Sequence, residues 1–130
     1  APGRIAFAHS SLEPGSALHL ASADGGKETV ASVYRQEMLA LSVDALVTQF
    51  GFPVPSHLKI DVDGTELDVL RGAAGTLRSD RVRSIQVEVS PREPSAAEVV
   101  RLLSERGFRL VSQAARGGGD RWSNYLFVRP

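Results

Sequence analysis

Apolar and polar positions change their period several times along the chain, and those changes mark its elements. Arg4 to Ala8 carries a short apolar run that predicts a strand, closed by polar His9-Ser10-Ser11. Ala17 to Ala21 predicts a second, weaker strand, Asp24-Gly25-Gly26-Lys27 a turn, and Glu28 to Glu37, which has no clear period, a loop. Met38 to Val43 predicts a strand. Asp44 to Phe50 predicts a short helix opened by Ser42 or Asp44 as its cap, with Gly51-Phe52-Pro53-Val54-Pro55 as the break.

From His57 onward the signals are stronger. Leu58–Val62 reads as a strand that runs directly into a helix, whose Leu67, Leu70, Ala74 and Leu77 follow the spacing of one buried face. Thr65 with Asp68 three residues on resembles a capping box. Val82 to Val89 is the next strand, with Ile85, Val87 and Val89 alternating against Gln86, Glu88 and Ser90. Pro91 and Pro94 punctuate a loop. Ser95 and Glu98 form a capping box for a helix that runs to about Arg106 and stops at Gly107. Phe108 to Gln113 and Trp122 to Val128 are strands joined through Gly117-Gly118-Gly119-Asp120, which implies an antiparallel hairpin. The βαβαβ succession needs parallel strands, so the expected class is α/β, with a mostly parallel sheet and an antiparallel edge.

At 130 residues the chain is about one domain. Fifteen basic and fifteen acidic residues cancel, which argues against a general nucleic-acid footprint. Cysteine is absent, which excludes a disulfide framework, a cysteine zinc site and a thiol nucleophile, and fits a cytoplasmic location. No apolar run approaches the ~18 residues of a membrane span. The start, Ala1-Pro2-Gly3-Arg4, has neither a signal-peptide pattern nor an initiator methionine, so a piece of a longer protein is expected.

The chemistry concentrates where the Leu58–Val62 strand ends. In open α/β sheets ligands bind in the crevice outside the carboxyl ends of the strands. Alternation puts Lys59, Asp61 and Asp63 on one face and Ile60 and Val62 on the other. Neighbouring strands lie about 4.8 Å apart. If the polar faces of the two strands coincide, Asp61 and Glu88 come close enough to raise one pKa, to need Lys59, or to share a cation. The structural alternative is that Lys59 neutralises Asp61 or Glu88 inside the sheet, while Asp63, Glu66 and Asp68 serve the helix N-terminus. Asp61-Val62-Asp63-Gly64 is no EF-hand loop, because its glycine is fourth rather than sixth and a strand precedes it. An Asp-x-Asp after a strand also matches the metal- and nucleotide-sugar-binding pair of many glycosyltransferases, though the immediate amphipathic helix argues against that reading. His9, His19 and His57 are not at metal-ligand spacing; Trp122 and Tyr125 read as packing residues of the closing hairpin.

The run from Leu58 to Ala73, L-K-I-D-V-D-G-T-E-L-D-V-L-R-G-A, resembles the signature of FkbM-type methyltransferases, close to K-I-D-V-E-G-x-E-x-x-V-L-x-G-A, with Asp63 where that family commonly has Glu. Leu41-Ser42-Val43-Asp44-Ala45-Leu46 is similar to the family's T-L-D-x-L segment, and Ile85-Gln86-Val87-Glu88-Val89 resembles its I-L-x-E-I strand. The likeness covers residues 38–130 well and 1–37 loosely. It implies the Rossmann-like class I methyltransferase fold, with S-adenosylmethionine as cofactor and a small-molecule hydroxyl, of macrolide, sugar or lipid type, as acceptor. In that fold the strand ending at Asp61 is the fourth, the Glu88 strand the fifth, and the hairpin the sixth and seventh. Residues 1–37 then form the third-strand region of a single, partial domain. The glycine-rich cofactor loop and the ribose-binding acid would lie upstream, so the chain would hold the substrate-facing half. The resemblance places His9, Ser10 and Asp61 beside the cofactor. It implies Asp61 and Asp63 as base or acceptor-positioning groups, Glu66 and Glu88 in support, and Lys59 keeping Asp61 ionised; a divalent cation between Asp61 and Glu88 is a further possibility. A non-catalytic interaction module is the remaining alternative.

Overall fold

A computed structural model describes residues 3–13, 20–22, 33–115 and 121–130. The expected residues 17–19 of the second strand and the turns at 24–27 and 117–120 lie outside them. In chain order the elements are β1 (Gly3–His9), β2 (Leu20–Ser22), β3 (Tyr34–Ala40), α1 (Val43–Thr48), β4 (His57–Ile60) and α2 (Glu66–Arg71). A single 3-10 turn (Thr76–Arg78) follows, then β5 (Ser84–Val89), α3 (Pro94–Ser104), β6 (Arg109–Ala115) and β7 (Ser123–Val128).

These strands form two sheets, of order β2-β1-β3 and β4-β5-β7-β6. The larger sheet is mixed: β4 and β5 are its one parallel pair of neighbours, in the register Lys59↔Gln86 and Ile60↔Val87, and β6 runs in the same direction without pairing with either. The reason is the place of β7: it returns from the hairpin to lie between β5 and β6 and is antiparallel to both. The expected third-strand region forms, in its described residues, an antiparallel sheet of its own. The link from His9 to Leu20 is shorter than the roughly dozen residues a parallel crossover needs, so β2 returns antiparallel beside β1.

Element ends differ from the sequence expectation for local reasons. The strand expected at Met38–Val43 occupies Tyr34–Ala40 and so takes in part of the expected loop. It cannot run through Ser42, whose Oγ accepts the Ala45 N–H at 3.1 Å and caps α1. The helix after β4 is shorter than its apolar period, because the Gly72 carbonyl accepts the N–H of Asp44 (3.0 Å) from another element. Neither capping box forms. Thr65 makes no side-chain cap bond; Asp68 instead pairs with Arg71 at 3.1 Å. α3 opens at Pro94, one residue before Ser95, and the Glu98 carboxylate takes Arg71 at 2.8 Å.

The core lies on one face of the larger sheet. Ile60, Ile85, Val87, Val89, Tyr125 and Phe127 pack there with Leu70, Ala73 and Leu77 and with Val99, Leu102 and Leu103 of α3. The opposite face carries His57, Lys59, Ser84, Gln86, Glu88 and Asn124, of which only Glu88 is buried. Arg129, just after β7, fastens the far end: its guanidinium donates to the carbonyls of Leu77, Ser79, Val82 and Arg106 and lies 4.1 Å over the Phe108 ring. No described helix is long and apolar enough to cross a membrane.

Candidate functional site

At the carboxyl end of β4 the chain leaves the sheet at Asp61 and reaches α2 through a turn of two residues with positive φ, Asp63 (48°) and Gly64 (106°). Asp and Gly are residue types that tolerate the left-handed region. A Cβ at Gly64 would meet nothing within 4 Å, so glycine is required there by backbone conformation and not by space. Two side chains secure the turn. Thr65 Oγ1 donates to the Val62 carbonyl (3.2 Å), and Glu66 Oε1 accepts the Gly64 N–H at 2.9 Å. The turn also leaves Val62 36% exposed.

Lys59 Nζ lies 2.6 Å from Asp61 Oδ2, with the two side chains 60% and 34% exposed. The parallel register ends at Ile60↔Val87, and Asp61 and Glu88 are the residues that follow that last pair on their two segments. Glu88 is 5% exposed and stands across β7 from Asn124, whose Oδ1 accepts from Gln86 Nε2 at 2.8 Å. Asn124 carries no motif, and only the β5–β7 register shows that it belongs to this polar row. Ser90 and Ser123 are buried at the same end.

The other expected site residues are placed differently. His9 and Ser10 follow from β1 of the smaller sheet, where the His9 ring packs 5.0 Å from Phe7 and 5.8 Å from Tyr34. Glu66 is buried at 5% exposure, with its carboxylate turned to its own backbone. Among the described residues no three His, Cys, Asp or Glu side chains are grouped to hold a metal ion, so a cation shared by Asp61 and Glu88 draws no support from the geometry.

Asp44 has a part that its sequence position did not reveal. Its Oδ2 accepts the Gly75 N–H (2.8 Å), and its Oδ1 accepts both the N–H and the hydroxyl of Thr76 (2.7 Å each). Burial acts to raise its pKa, but those hydrogen bonds and the nearby Arg78 charge together hold the carboxyl below its ordinary value. A Cβ at Gly75 would lie 3.1 Å from that carboxylate, so glycine lets the two approach without a shift of Asp44. The segment containing Asp44 is therefore a structural clasp.

A cleft of ≈ 590 Å³ runs between the smaller sheet and α2, with Ile5, Leu39, Val43 and Val69 among its apolar walls and Thr65 on its rim. A second cavity of ≈ 620 Å³ is lined by Arg78, Asp80 and Arg129. It lies by the start of β5, since the Arg129 N–H bonds the Arg83 carbonyl, and so at the opposite end of the sheet from Asp61.

The family model described as the Methyltransferase FkbM domain matches residues 4–110. No curated protein and no solved structure matches the chain.

Proposed function

The chain belongs to the FkbM methyltransferase family, and from that premise we propose that it is an S-adenosylmethionine-dependent O-methyltransferase whose acceptor is a small-molecule hydroxyl. The observation that carries the reading is Asp61: a carboxylate at the end of the parallel strand pair, accessible to ligand and joined to an ammonium at 2.6 Å. Its ammonium partner Lys59 shares a sheet face with Gln86, Glu88 and Asn124.

The described residues form no cradle for S-adenosylmethionine. Gly64 is the one glycine among them that stands between a strand and the helix following it, and its N–H is already taken by Glu66. The reading therefore gives this chain the acceptor side of the reaction. A hydroxyl acceptor must be aligned and must lose its proton as its oxygen attacks. Asp61 accepts that proton, Lys59 is its charge partner, and Asp63 stands beside it in the turn. The half-buried amide pair Gln86–Asn124 lies on the face of Lys59 and offers neutral hydrogen-bonding groups to an uncharged acceptor.

The test uses the full-length protein with a methyl-labelled donor and a panel of hydroxylated acceptors. Label transfer is expected, and Asp61→Asn should lower kcat by about 100-fold or more while circular dichroism and Tm stay unchanged. Near-normal transfer by that variant would remove the assignment. Binding of a nucleotide sugar with manganese, in place of methyl transfer, would overturn the reading in favour of glycosyl transfer.

A further inference from the structure

Glu66 sits at the first position of α2, in the same short stretch as Asp61 and Asp63, and at sequence level it counts as a third acid of the site. Its surroundings say otherwise. The residue is 5% exposed, and one carboxylate oxygen is engaged by the N–H of Gly64 at 2.9 Å. Gly64 is the second of two consecutive residues with positive φ. A turn of that kind persists only when its neighbourhood over-determines it. Thr65, the residue before α2, makes no side-chain cap bond and spends its hydroxyl on the Val62 carbonyl, so it is Glu66 that holds the Gly64 amide.

We infer that Glu66 is a positioning residue: its buried carboxylate clamps the Asp63–Gly64 turn and thereby fixes where Asp61 and Asp63 stand at the end of β4. It neither touches the acceptor nor handles a proton. The rate consequences rest on the methyltransferase reading above; the clamp does not.

Two substitutions separate reach from charge. Glu66→Gln keeps the length and an oxygen that accepts the Gly64 N–H, but removes the charge. Glu66→Asp keeps the charge, but is one methylene too short to reach. In the full-length protein, hydrogen–deuterium exchange should show the Gly64 amide protected in the wild type and in E66Q, and exposed in E66D. Methyl transfer should follow the same order. kcat in E66D is expected to fall about 10–100-fold, because small misplacements of a reacting group cost that much. E66Q should recover to within about threefold of the wild type with an unshifted pH–rate profile. The opposite order, with E66D active and E66Q slow, would overturn the inference by showing that the charge is used. Equal loss in both, or no loss in either, would overturn it too. A wild type that transfers no methyl group would refute the functional reading alone, since the exchange measurement still decides the clamp.

Discussion

Asp63 shows how much a single side chain is asked to do at this site. It is the one non-glycine residue with positive φ among those described, at 48°. The left-handed region costs an ordinary L-residue about 1–2 kcal/mol, and Asp and Asn are several-fold enriched there. That accounts for an aspartate fitting the turn in this chain where the family pattern commonly has the longer glutamate. Asp63→Asn is expected to leave the unfolding free energy within about 0.5 kcal/mol, while Asp63→Ala should lose about 1–2 kcal/mol in urea denaturation. The neighbouring Lys59–Asp61 pair behaves in the opposite way. With side chains 60% and 34% exposed, such a pair contributes about 0–1 kcal/mol, so its value is to the chemistry of Asp61 and not to the fold. At this scale strand alternation, a local rule, placed Lys59, but the strand expected to run to Val62 ends at Ile60, so alternation did not place Asp61 and Asp63. That Asp63 must also bend the chain, and that Glu66 faces its own backbone, was not legible in the sequence, because both depend on the conformation of the turn.

Between elements, the Asp44 clasp joins the start of α1 to the 3-10 turn more than thirty residues later. Asp44→Ala would strip two backbone N–H groups and one hydroxyl of their acceptor, at a cost of about 1–3 kcal/mol in thermal or urea unfolding. The clasp also gives stability a pH dependence of definite sign. The folded carboxyl is held below the ordinary 3.8, so its contribution is complete above that value and is lost as pH falls below it. Asp44→Asn should therefore flatten the acid limb of Tm against pH below about 4. Ser42 was readable as a cap because its partner, the Ala45 N–H, lies three residues away. Glu98 was misread for the complementary reason. Its true partner is Arg71, twenty-seven residues earlier on another helix, and no local motif announces a tertiary ion pair.

For the molecule as a whole, Arg129 is the fastening that ties the end of β7 to the 3-10 turn, the approach to β5 and the end of α3. Arg129→Ala should cost about 3 kcal/mol, and Arg129→Lys should restore little, because one ammonium cannot serve four carbonyls spread around a planar fork. Melting temperatures of the two variants would decide this. Sequence offered no hint of it: an arginine next to the final proline has no periodic neighbour. The class of fold was legible from the alternation of strand and helix between His57 and Gly107, where each crossover returns the chain in the same strand direction. The interior place of the antiparallel strand, expected at an edge, was not, since hairpin signals tell which strands pair but not which strand the returning one inserts beside. That insertion has a consequence for the growing polypeptide. β5 and β6 have no bond to each other and are bridged only by β7, which leaves the ribosome after both of them. Until Ser123–Val128 emerges, β5 offers one unsatisfied edge and the cavity for Phe127 stays unfilled. The nascent chain is therefore open along the middle of this sheet until that strand arrives, and it closes around it.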